Sequence, residues 1–318
     1  MATFLFRGVL AVLLLQAPPA ADTVRPGLWS RVAADSTDGK AWLDVGRVYV
    51  EIVRGYHAHR SPPPPDTAWV RALLDTADQA FASAARWSPG TRTADSAQVF
   101  RVYTWGQKAL LAWESGGSEA ATATWHALPE TLRLPPVLEE LGENLLRACP
   151  RAGVLLTAGD ADTYAAWYMR FARGLRPDLL ILPLGPWEND SVFRARVVHD
   201  TRLRGVGRGG RVGAGGPELR AFAERRPVCA SMGFERPPTL RPRLSWNTRP
   251  VVWVAGAEPK GERVPAEDFV FAALRLALDQ HDTWSPPAIA LYRRAAGVTP
   301  ALCRPLGTFG IATEVGCR

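Results

Sequence analysis

Residues 152–187 constrain the fold of this chain more than any other stretch. Residues 153–157 (Gly-Val-Leu-Leu-Thr) are a short apolar run leading to Gly159, and residues 178–184 (Asp-Leu-Leu-Ile-Leu-Pro-Leu) are a second. Between them Tyr164, Trp167, Tyr168, Phe171 and Leu175 recur at helical spacing on one face. Gly174 and Pro177 stop that helix. Strand, helix and strand in so few residues form a βαβ unit, with parallel strands and a right-handed crossover.

The rest of the second half repeats the alternation. Asn189-Asp190-Ser191 caps a helix running to His199. Residues 217–225 read as a short helix with proline at its first position. Residues 226–234 and 250–255 read as strands, with a proline-rich loop between them. Residues 266–281 read as the last strong helix, with Phe269, Phe271, Ala272, Leu274 and Leu278 on its apolar face. The expected fold over residues 150–318 is α/β: a Rossmann-like, mostly parallel sheet of about four strands flanked by helices. It carries a Gly/Arg loop at 204–216 and a loop-rich tail.

The first half reads as helical. Trp42, Val45, Gly46 and Tyr49 have the spacing of the first helix of a tetratricopeptide repeat. Ala77, Phe81, Ala84 and Pro89 have that of its second. Small residues would let the helices approach, and aromatic rings would fill the gap. The loop between them departs from the pattern through Ser61-Pro62-Pro63-Pro64-Pro65, which must be extended. Any antiparallel helix pair is the plainer reading. Two further helices follow, divided by Gly116-Gly117 and ended by Pro129, and a last one leads into the first strand. Residues 41–149 are therefore read as a tetratricopeptide-like helical region, and residues 22–40 as a linker.

Residues 1–21 have the layout of an export signal: Arg7, a short apolar core over 8–15, and small residues at Ala17, Ala20 and Ala21. No later stretch reaches about 18 uninterrupted apolar residues, so no membrane-spanning helix is expected. Four cysteines suit an exported protein with up to two disulfides. Cys303 and Cys317 flank a closing loop and are the first choice of pair. Cys149 and Cys229 would tie the start of the sheet to its far half. Four cysteines allow three connectivities, and the sequence does not choose among them. The net charge of +7 is mostly arginine spread along the chain, which matches a compositional bias better than a nucleic-acid surface.

Ligands of open parallel sheets bind beyond the carboxyl ends of the strands. Here that places Gly159, Asp160, Asp162, Thr163 and Trp187 as candidate ligand-binding residues. Asp160 and Asp162 have the hard oxygens a divalent cation needs, and the helix start offers N–H groups to an anion. The structural alternative is that an aspartate caps the helix while Gly159 permits the turn. Arg204, Arg208 and Arg211 are candidate anion contacts. Gly205-x-Gly207-x-x-Gly210 lacks the strand and helix a dinucleotide fingerprint requires. Cys229-x-Ser231-x-Gly233 has cysteine where a nucleophile elbow has glycine. No catalytic residue, cofactor or metal site is expected.

The run Leu155-Leu156-Thr157-Ala158-Gly159-Asp160-Ala161-Asp162-Thr163-Tyr164, then Trp167-Tyr168, then Gly174-x-Arg176-Pro177-Asp178, resembles a motif of bacterial membrane proteins related to protein O-mannosyltransferases. There it marks the soluble domain after the membrane helices, often with helical repeats. The resemblance spans residues 140–235. It implies a stand-alone exported version of the accessory domain. It does not carry sugar transfer over, because catalysis in that family is expected in a multi-pass membrane part without counterpart here. The resulting expectation is a non-enzymatic interaction or scaffolding protein, periplasmic or at the outer face of the inner membrane. It would have a protein partner in the cell envelope, such as a membrane complex, and no nucleic acid. The alternative is a glycan- or anionic-ligand-binding domain, or a glycosyl-transfer accessory, using the 159–163 turn.

Overall fold

The computed structural model describes residues 27–58, 67–202, 216–239, 245–256 and 264–317. The expected export signal and Arg204, Arg208 and Arg211 of the Gly/Arg loop lie outside these residues. The chain divides into two units, Met1–Trp105 and Gly106–Arg318. The helices that lead into the sheet fall in the second unit, whereas the sequence groups them with residues 41–149.

The first unit holds α1 (Leu28–Ala34), α2 (Gly39–Ala58), α3 (Thr67–Trp87) and the start of α4 (Arg92–His126). α1 replaces part of the linker expected over 22–40. Seven residues are too few to show a helical period. The helix is held by burial of Leu28, Trp29 and Val32. The Trp29 ring stands edge-on to Trp42 and Tyr49, at 6.0 and 6.4 Å between centroids. α2 and α3 form an antiparallel pair. A Cβ on Gly46 would sit 2.5 Å from the Phe81 ring, and one on Gly39 would sit 1.9 Å from Ser88 Oγ. Glycine at these two positions is what lets the helices close on each other. Phe81 also stacks on Phe100, and Arg101 donates to Asp78 at 2.9 Å, which ties α4 to α3.

The second unit begins within α4, which breaks at Gly117 (φ 78°, ψ −171°). The Asp200 carboxylate accepts from Ser118 N–H at the restart and from the Trp113 indole. Then come α5 (Pro136–Ala148), β1 (Val154–Thr157), α6 (Asp160–Trp167) extended by a π turn (Tyr168–Ala172), and β2 (Leu180–Pro183). They are followed by α7 (Leu184–Asn189), α8 (Ser191–Asp200), α9 (Gly216–Ala223), β3 (Val228–Ser231), β4 (Trp246–Arg249) and β5 (Val252–Ala255). α10 (Ala272–Asp279), α11 (Ser285–Val298) and α12 (Cys303–Thr308) close the chain. Asp190 caps α8 by accepting from Val192 and Phe193 N–H.

The sheet has five strands in the order β2-β1-β3-β5-β4. β1 pairs in parallel with both β2 and β3, so Leu155 lies between Ile181 and Cys229. β5 pairs antiparallel with β3 and with β4. Four strands therefore point one way and β5 runs against them: the sheet is mixed but mostly parallel, with five strands where about four were expected. β4 is the unexpected strand. It is a short edge strand with its two middle residues exposed, and it lies inside the proline-rich segment that masks it. A two-residue connection, Pro250-Val251, returns it to β5. Val251 is buried there at φ 58°, a conformation costly for a β-branched residue. β1, β3 and β5 are buried at every position. α6 is buried from Asp162 to Trp167, with Tyr168 and Met169 beyond, so it is covered all round instead of presenting one apolar face.

The tail is helical where a loop was expected. α11 starts Ser285-Pro286-Pro287, and proline is well suited to a first turn, where its missing N–H costs nothing. Ala288, Leu291, Tyr292 and Ala295 form its buried stripe. The expected helix over 266–281 shortens to α10. Glu140 of α5 accepts from Ala273 and Leu274 N–H at the start of α10, and Asn144 donates to Val270 O and to Tyr292 OH.

Both disulfides form, Cys149–Cys229 and Cys303–Cys317. The first joins the end of α5 to β3. Arg176 and Asp178, from the motif noted above, serve the same junction. Arg176 donates to the Leu146, Cys149 and Pro150 carbonyls and pairs with both Asp178 oxygens at 2.9 Å. Asp178 also accepts from Ala152 N–H. The Arg176 side chain and that N–H hold the Asp178 carboxyl down at about 2, against partial burial.

Burial pushes the Glu140 carboxyl up to about 7, against the lowering effect of the α10 N–H groups. Between its ordinary value of 4.5 and about 7 the folded chain holds a proton that the unfolded chain has released. Stability from this group is therefore complete below about pH 4.5 and is lost as pH rises through 7. Glu140→Gln is expected to flatten the fall in melting temperature across that window. An unchanged slope would show that other groups set it.

Candidate ligand crevice at the ends of β1 and β3

β1 delivers the chain to Ala158-Gly159, and α6 starts at once. Asp162, the third residue of that helix, turns back. Its two carboxylate oxygens accept from Ala158 and Gly159 N–H, both at 2.8 Å, and the Ser231 hydroxyl also bonds to it. Asp162 is 3% exposed, and this burial raises its carboxyl above the ordinary range while those donors oppose the shift. Ser231 Oγ in turn accepts from Gly233 N–H at 2.9 Å. A Cβ on Gly233 would stand 2.6 Å from Asp162 Oδ2, so only glycine fits where the β3 loop meets α6. Thr163 donates to Thr157 Oγ1 at 2.8 Å and braces the same turn from inside.

Outside this bracket lies a cavity of about 400 Å³. One side is Gly159, Asp160, Ala161 and Asp162, with Gly233 beside them and Leu141 of α5 behind. The opposite side comes from α11 and the residue before it: Trp284, Pro287, Ala290, Leu291 and Arg294. Arg294 spans the two sides, with Nε donating to Met232 O at 2.6 Å and Nη2 to Gly233 O at 3.0 Å.

The structure separates the residues singled out in the sequence. Gly159, Asp160 and Asp162 line the cavity, with Asp160 exposed and Asp162 turned to the backbone. Thr163 stands behind them. Trp187 does not join them: it is in α7, wholly buried, with its ring 6.0 Å from Phe222. It packs the core. The large apolar ring following a strand end reads equally as core or as ligand wall, and burial decides for core. Ser231 is sealed at 0% exposure. Among the described residues no group of three or more metal-ligating side chains occurs, and the Asp162 oxygens already accept N–H and O–H donors. The α11 wall was missed in the sequence. Its available signal was the apolar stripe after Pro286-Pro287, read as loop.

No family model, no curated protein and no solved structure matches this chain. Among the described helices none is long and apolar enough to cross a membrane. Two disulfides are those of a chain that folds in an oxidising compartment.

Proposed function

We propose that this chain is an exported, periplasmic binding protein whose second unit holds a small organic molecule in the crevice between the α6 turn and α11. The observation that carries this reading is the position and size of the cavity. It opens at the carboxyl ends of β1 and β3, where parallel sheets place their ligands, and its volume of about 400 Å³ falls in the range of small-molecule sites, about 300–1,000 Å³. Its polar groups are few, and one of its two aspartates, Asp162, is committed to the backbone. Binding is the role that such a wall supports.

Filling the space provides the test. Ala290→Trp places an indole into the cavity from a half-buried position on α11. The variant is expected to keep its melting temperature and lose the stabilisation given by ligands. A ligand at 100 times its Kd adds about 2.7 kcal/mol, or about 5–11 °C for a unit of this size. Equal stabilisation of wild type and variant would place binding elsewhere.

A second reading concerns the first unit. The close approach of α2 and α3 at Gly46 and Phe81, with tetratricopeptide-like spacing, favours a helical hairpin that contacts an envelope protein. The accessory role implied by the O-mannosyltransferase-related motif belongs to this reading. Cross-linking in intact envelopes tests it: a reproducible partner on α2 or α3 supports it, and cross-links confined to the second unit oppose it.

A further inference from the structure

The crevice also carries information about the chemistry of its occupant; this inference rests on the binding role proposed above. Its walls are mostly hydrocarbon: Leu141, Pro287, Ala290, Leu291 and the Trp284 ring, whose buried Nε1–H is the one unpartnered donor among these described residues. A glycan would leave several hydroxyls facing these groups without partners, each a loss of hydrogen bonding to water that nothing replaces. The charged groups are fewer and unequal in availability. Both Asp162 oxygens accept donors from the protein, so they have little left for a ligand cation. Among the described residues Arg294 has only carbonyl partners, Met232 and Gly233, and no ion pair. A carbonyl fixes a guanidinium but does not cancel its charge. The positive end of α6 adds to the same field. An ammonium ligand would meet Arg294 inside the crevice and find Asp162 already occupied, which leaves the exposed Asp160 at the mouth as its counter-ion. A phosphate dianion fits less well than a single charge, because one arginine faces two carboxylates, Asp160 and Asp162.

We propose that the crevice takes an organic carboxylate with an apolar body, its carboxylate beside Arg294 and its hydrocarbon against Leu141, Pro287, Leu291 and the Trp284 ring. Recognition would then combine one charge-assisted contact with burial of an aliphatic or aromatic framework. Of the glycan or anionic ligand considered as alternatives from the sequence, this proposal takes the anionic one.

Calorimetry on the full chain tests this with matched probes: octanoate, octan-1-ol, octylamine, octyl phosphate and glucose. Octanoate is expected to bind about tenfold or more tightly than octan-1-ol, and glucose not at all. Arg294→Met should remove that preference, read as the ratio of octanoate to octan-1-ol affinity in the same variant. Arg294 also holds two carbonyls, so Arg294→Lys, which keeps the charge, is the control and should retain part of the preference. If octan-1-ol, octylamine or octyl phosphate binds as well as octanoate, and Ala290→Trp abolishes it, the carboxylate assignment is overturned while the binding role stands. If no probe binds, or binding survives Ala290→Trp, both are overturned.

Discussion

Replacing Cys149 and Cys229 together by alanine is expected to remove about 4–5 kcal/mol of stability. The disulfide closes a loop with a sequence separation of 80, and a loop of that length restricts the unfolded chain by about 4.5 kcal/mol in the chain-entropy account. Both sulfurs are fully buried, so their loss adds a small cavity cost. A domain has about 5–15 kcal/mol in total, so the variant should unfold at far lower denaturant. The Cys303–Cys317 bridge, with a separation of 14, should be worth about 3 kcal/mol. Urea unfolding of the two double-alanine variants checks the order. A larger loss at Cys303–Cys317 would mean that the Arg176–Asp178 clamp holds the α5–β1 junction without the covalent bond.

Asp162→Ala is expected to cost about 3–5 kcal/mol, whereas Asp160→Ala should cost less than about 1 kcal/mol. The two aspartates are two residues apart and look alike as a string. Asp162 is buried and accepts from two backbone N–H groups and a hydroxyl; alanine would leave those donors without an acceptor in the interior. Asp160 is exposed at the mouth of the crevice. Thermal melts of both variants decide the matter. Equal small losses would show that the Asp162 bracket does not hold the turn, and with it that the crevice wall is not rigid.

The parts legible in the sequence are those built from local pattern. β1 and β2 are short apolar runs ended by a glycine or proline, and the helix between them repeats aromatic residues at helical spacing. Asp190 stands where a capping residue must. The less legible parts depend on tertiary contact. α1 is held by Trp29 against Trp42 and Tyr49, which seven residues do not announce. β4 is an edge strand whose partner, β5, makes it a strand. α11 opens with two prolines, which suit a loop and a first helical turn equally. Missing α11 meant missing the far wall of the crevice, so the Gly159–Thr163 turn was visible without the surface opposite it. Its aspartates read from the string alone as helix caps or as ligand contacts. The structure makes Asp162 a structural bracket, and Arg294 and the apolar wall line the open space.

The central claim is that this space is a ligand site, and native mass spectrometry tests it directly. Wild type and Ala290→Trp would be incubated with octanoate, and in parallel with octan-1-ol, octylamine and octyl phosphate, and compared at equal folded fraction. The account predicts one octanoate retained by wild type and none by the variant. The same adduct on both proteins, or no adduct of any of these probes on either, would contradict it.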